Sequence, residues 1–192
     1  MLVRPKVANT VNKHTADVEQ EILQRFKDGD KEAFVELFQR HHTAIYRYCH
    51  LMLGEKEAAE DIYQDTFYKF YTDCREGKEV QSVRGFLTVV ARSRCLDYLK
   101  RKNRHTSFNE VAEPSWEPDV ASADTQVHLR KALSKIPHQY REAFTLHVLR
   151  EYSYEEIADI LGIGPHVVKN RIYRAKQNLR KVLSPIFGED SR

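Results

Sequence analysis

Apolar residues recur along this chain at the three- and four-residue spacing of helices, and the strict alternation of half-buried strands is nearly absent. Ile22, Leu23 and Phe26 open the pattern after Asp17 and stop at the Asp28-Gly29-Asp30 turn. Ala33, Phe34, Leu37, Phe38, Ile45, Tyr46, Cys49 and Met52 then predict a second helix that ends at Gly54. A third runs from about Glu57 through Ile62, Phe67, Phe70 and Tyr71, closing before Gly77. A fourth, about Ser82 to Lys102, carries Leu87, Ala91, Cys95 and Leu99 at four-residue spacing, with Phe86 and Val90 on its flank. Helix returns over Val127 to Ile136, breaks at Pro137 and resumes through Tyr140 to Leu149. The expected fold is all-α, beginning with a compact bundle of roughly four helices.

The most legible stretch lies further on, between Ser153 and Lys181. Ser153 is a good N-cap, and Glu156 three residues later completes a capping box. Ile157, Ala158 and Leu161 form one apolar face, and Gly162 ends the short helix by supplying a left-handed turn. Pro165 suits the first turn of the next helix. There Val168, Ile172, Ala175, Leu179 and Val182 make a core stripe. The opposite face carries His166, Asn170, Tyr173, Arg174, Gln177 and Lys181, flanked by Lys169 and Arg171, and no acid occurs between His166 and Leu183. Two helices joined by a glycine turn, the second greasy on one side and basic on the other, describe a helix-turn-helix. Such a helix has the donors to meet phosphates and base edges in a major groove.

Composition divides the chain. Residues 105–126 include TSFNEVAEPSWEPDVASADTQ, which has acids and two prolines but no Lys or Arg, as a flexible acidic linker would. The expected organisation is a flexible tail over 1–16, a helical domain over 17–104, the linker over 105–126, a helix-turn-helix domain over 127–184 and a short tail over 185–192. Lys and Arg number 31 against 28 Asp and Glu, so the formal charge of +3 says little; the blocks say more. Glu55, Glu57, Glu60, Asp61, Gln64 and Asp65 make an acidic start to the third helix, suited either to the helix dipole or to docking a basic partner. The fourth helix ends in LKRKNR after Arg84, Arg92 and Arg94, more basic residues than capping needs. That surplus points to a nucleic-acid backbone, and an exposed ring among Phe67, Tyr68, Phe70, Tyr71, Phe86 and Tyr98 could stack on an unpaired base. The basic N-terminal tail, with Arg4, Lys6 and Lys13 and no acid before Asp17, reads as a frayed end, with an arm touching nucleic acid as the alternative.

Other chemistries find little support. The nine histidines include the pair His41-His42, but no zinc-protease motif, phosphate loop or nucleophile elbow accompanies them, so no catalytic, cofactor or metal residues are assigned. Cys49, Cys74 and Cys95 are widely spaced and read as reduced, mostly buried thiols. No apolar run approaches bilayer-spanning length and no signal-peptide core is present, so a cytoplasmic protein without membrane insertion is expected.

Read together, GDKEAF, AEDIYQDTFYKFY, FLTVVARSRCLDYLKR and YSYEEIADILGI followed by VKNRIYRAKQNLRKVL resemble a bacterial extracytoplasmic-function sigma factor of the sigma-70 family. The likeness covers about Glu19 to Leu183, with the acidic gap in the expected place. It implies a protein that binds core RNA polymerase through its β′ and β subunits and directs it to promoters. The first domain would then open the −10 element and the second would hold the −35 element as duplex. By the same resemblance Asp61, Gln64 and Asp65 dock on the polymerase. Arg84, Arg92, Arg94, Asp97, Lys100 and Arg101 belong to the basic fourth helix that engages the −10 region. His166, Lys169, Asn170, Arg171 and Arg174 match the −35 recognition helix. An anti-sigma factor is the implied regulator. Phe86 stands where the family usually has Trp, Ser93 where Asn is usual, and Gly164-Pro165-His166-Val167 replaces a typical Pro-x-Gly-Thr. A free-standing helix-turn-helix repressor or activator would explain the C-terminal half equally well, but leaves the acidic face and the basic helix end unexplained.

Overall fold

The computed structural model describes residues 13–106 and 131–187, with side chains over 17–102 and 131–184. Four helices form the N-terminal bundle: α1 (Lys13–Lys27), α2 (Lys31–Leu53), α3 (Lys56–Arg75) and α4 (Val83–Thr106). After a helical turn over 131–134 come α5 (His138–Leu149), α6 (Tyr154–Leu161) and α7 (Pro165–Phe187). No strand occurs among the described residues, and none of their helices is long and apolar enough to cross a membrane. The α1 helix starts at Lys13, inside the stretch read as tail, and α7 continues to Phe187. The linker expected over 105–126 lies almost wholly outside the described residues.

The helix ends follow from local chemistry. Asp30 caps α2 by accepting from the amides of Glu32 and Ala33, satisfying donors that the first helical turn leaves unpaired. Gly54 ends α2 with φ 75°, a conformation that a side chain resists, and lets α3 fold back antiparallel. The bundle core is the predicted stripe: Leu23, Phe26, Leu37, Ile45, Phe70, Leu87 and Ala91 are buried. Phe26, Phe34, Phe70 and Tyr71 add a mutually packed aromatic knot. The His41-His42 pair has structural work: buried His41 bonds the Glu19 carboxylate at 2.8 Å through Nε2, while His42 stacks on Phe38.

The two halves touch. Buried residues of α2 and α4 join Ala143, Leu146 and Tyr152 in one continuous core, and Leu51 of α2 packs with Ala132, Leu133, Ile136 and Leu179 in a second. Helical spacing predicts helices in both segments but does not show that they meet, because it reports only neighbours along the chain. Glu151, at φ 52°, reverses the chain after α5 and sets Tyr152 against α4.

Candidate nucleic-acid interface

The α6–turn–α7 unit is built as its residues dictate. Ser153 Oγ accepts from the Glu156 amide at 3.1 Å, and Glu156 Oε2 accepts from the Ser153 amide at 2.8 Å. Gly162 adopts φ 66° and closes α6. On α7, Val168, Ile172, Ala175 and Leu179 are buried, and Ile157, Ala158 and Ile160 of α6 pack into the same core. The other side of α7 is open: His166, Lys169, Asn170, Tyr173 and Arg174 are all exposed. Arg171 is half-buried and sits on the flank rather than on that face. Tyr173 is 57 % exposed, and its hydroxyl accepts from Gln177 Nε2 at 2.7 Å, which extends the donor face by another turn.

Asp61, Gln64 and Asp65 stand together on the exposed side of α3. Tyr68, one turn further along and 71 % exposed, joins them. The expectation that most aromatics here are core holds for Phe67 and Phe70; Tyr68 is the exposed ring. Glu55 does something else. It makes no side-chain cap for α3 but ties α3 to α4, accepting from the Tyr98 hydroxyl at 2.7 Å and from Lys102. That hydrogen bond, with burial, pushes the Tyr98 phenol up to about 12. Burial works against the Glu55 carboxylate, yet Lys102 and Tyr98 hold it below the usual range.

The basic residues of α4 do not form one surface. Asp97, Lys100 and Arg101 are exposed near its C-terminal end. Arg94 leans toward α3 and pairs with Asp65 at 2.8 Å, an exposed pair worth little to stability. Arg84 and Arg92 turn the opposite way, toward the C-terminal half. Sequence spacing could not separate these groups, because their directions are set by partners far along the chain. Among the described residues no three His, Cys, Asp or Glu side chains are placed to hold a metal ion.

Two regions of the chain match known families: residues 37–105 match Sigma-70 region 2 and residues 127–179 match Sigma-70 region 4. The ECF RNA polymerase sigma factor SigM of Bacillus subtilis is 31% identical over 150 residues, spanning 76% of this chain and 91% of that protein. The chain belongs to the ECF RNA polymerase sigma factors. It is an alternative sigma factor, a transcription initiation factor that directs RNA polymerase to promoters. The sigma factor is also 28% identical over 174 residues to RNA polymerase sigma factor CarQ of Myxococcus xanthus, covering 88% of this chain and 100% of that one. Its fold is that of the sigma factor RpoE solved in complex with the anti-sigma factor NepR from Bartonella quintana. The TM-score there is 0.65 at 22% identity, covering 83% of this chain and 98% of that one. CnrH, solved with the cytosolic domain of CnrY, gives a TM-score of 0.63 at 21% identity, covering 91% of this chain and 100% of that one.

Proposed function

We propose that three separate faces divide the work of promoter opening. The α3 face of Asp61, Gln64, Asp65 and Tyr68 docks on a basic surface of core polymerase β′, where acids gain from charge complementarity. The α4 residues Asp97, Lys100 and Arg101, with Arg84, Arg92 and Arg94 once they are released, hold the −10 strand. Charge contacts to backbone and stacking of an extruded base offset an unpairing cost of a few kcal/mol. The α7 face of His166, Lys169, Asn170 and Arg174 lies in the −35 major groove, where a good bidentate base contact contributes about 1–3 kcal/mol of discrimination. Arg171, on the flank, reaches phosphate rather than base. A protein inhibitor of the anti-sigma kind, like the NepR seen with RpoE, masks these faces until a signal removes it.

The observation that carries this reading is the two-sidedness of α7, which buries Val168, Ile172, Ala175 and Leu179 while presenting acid-free donors to solvent. Footprinting and permanganate reactivity on one promoter fragment, with reconstituted holoenzyme, separate the roles. Lys169→Ala with Arg174→Ala should lose −35 protection. Lys100→Ala with Arg101→Ala should keep −35 protection and lose thymine reactivity at −10. If the α4 pair of substitutions leaves strand opening unchanged, the assignment of that helix end is wrong.

A further inference from the structure

Arg84 and Arg92 belong to the helix assigned to the −10 strand, yet neither is presented to solvent with Lys100 and Arg101. Arg92 Nε donates to Glu142 Oε1 at 2.8 Å, and that carboxylate, 2% exposed, lies 3.4 Å from the Tyr48 hydroxyl. Two turns earlier on α4, the Arg84 guanidinium sits 3.9 Å from the centre of the Tyr152 ring and donates to the Arg150 carbonyl. Between them Thr88 Oγ1 accepts from Arg150 Nη2 at 3.1 Å and lies 2.9 Å from the Tyr152 hydroxyl. One α4 face is thus filled by a carboxylate, an aromatic ring and a carbonyl from the C-terminal half. These groups resemble what a nucleic-acid strand offers: an anionic oxygen that accepts from guanidinium, a flat ring, and further acceptors.

We infer that the Arg84–Thr88–Arg92 face of α4 is an interaction surface with two mutually exclusive occupants, the chain's own C-terminal half when free and single-stranded promoter DNA when engaged, with Glu142 standing in for a phosphate. This rests on the assignment of α4 to the −10 strand. The contact combines the shared apolar core with a row of charged and polar groups on α4, and that polar row favours separation. It buries charges, whose desolvation offsets much of their attraction. Arg141 Nε and Arg150 Nε are buried with no hydrogen-bond partner among the described residues, and burial pulls both guanidinium groups below their ordinary range. Opening returns these donors to water, which pairs them and lowers the cost of separating the halves. A chain held closed also binds DNA with an affinity reduced by the fraction of time it is open.

The test uses the full chain without polymerase. Nitroxides are placed at the exposed positions Lys31→Cys on α2 and Lys176→Cys on α7, the three native thiols being buried. Pulsed electron resonance then reads the distance between halves, and anisotropy reads binding of fluorescein-labelled oligodeoxythymidine. Glu142→Arg should broaden a narrow distance distribution and lengthen its mean. The near-isosteric Glu142→Gln should do so in part and carries the test if Glu142→Arg loses helical signal. Glu142→Arg should bind the oligonucleotide about tenfold more tightly than the parent, the gain expected when a mostly closed chain is opened, and Glu142→Gln more tightly by a smaller factor that follows its open fraction. A distance distribution that neither variant moves overturns the closed state. Opening without a gain in binding overturns the shared surface and leaves a merely structural contact. No binding by any form removes the −10 assignment itself while leaving the distance result to stand.

Discussion

Ser153→Ala removes one identifiable bond from the helix-turn-helix. The Ser153 hydroxyl accepts from the Glu156 amide at 3.1 Å, whereas the reciprocal bond from the Ser153 amide to Glu156 Oε2 survives the substitution. Only half of the capping box is lost, and no apolar volume leaves the core. The expected cost is that of an N-cap, about 1 kcal/mol within a range of about 0.5–2. For a chain of this length that lowers Tm by about 2–4 °C. Urea titration followed by helical ellipticity measures it, with Ser153→Asp as a control that restores an acceptor and keeps most of the stability. Because α6 is short, the loss should concentrate there. Amide exchange in its first turn should speed by roughly five- to tenfold, following the same free energy. A stability unchanged from the parent would mean that water replaces the hydroxyl fully and the cap is incidental. A loss of about 3–5 kcal/mol, the scale of a truncated core aromatic, would mean that Ser153 supports packing that this geometry does not contain.

Asp61→Lys should weaken binding to core polymerase at least tenfold in a competition assay while leaving Tm within about 1 °C, because Asp61 is exposed and surface charge changes seldom exceed about 0.5 kcal/mol. Arg174→Ala should lower the magnitude of the slope of log affinity against log salt for −35 duplex by about one unit, and an unchanged slope would remove Arg174 from the phosphate contacts. Asp73 makes the pH prediction. Burial opposes its charge, but Lys78 and Lys69 hold its carboxyl below the ordinary 3.8, so its stabilising contribution is present above that pH and is lost as pH falls through the lowered value. Asp73→Asn should therefore be less stable than the parent at neutral pH, and the gap should close in acid; a gap constant down to pH 2 would contradict the ion pairs.

Elements governed by neighbouring residues were legible in the chain. The capping box at Ser153, the left-handed Gly162, the Val168-Ile172-Ala175-Leu179 stripe and the turn at Gly54 all depend on residues a few positions apart, where helical spacing is decisive. What escaped depends on distant partners. Nothing near Arg92 announces Glu142, and nothing near Glu55 announces Tyr98 and Lys102. Tyr68 looked like its buried neighbours because spacing alone does not say which edge of an aromatic helix the bundle leaves open. Lys169 was read as flanking the basic face together with Arg171, but Lys169 is exposed with that face while Arg171 is half-buried. The unexpected closeness of the two halves has the same origin, since Tyr152 and Thr88 come together only in the folded chain.

Run-off transcription with purified core polymerase and this sigma factor, across a pool of promoter fragments, tests the central claim most directly. Transcripts should start at a subset of fragments sharing one pair of −35 and −10 sequences, and omitting the sigma factor should abolish them. A folded preparation that neither joins core polymerase nor starts any transcript would contradict the account.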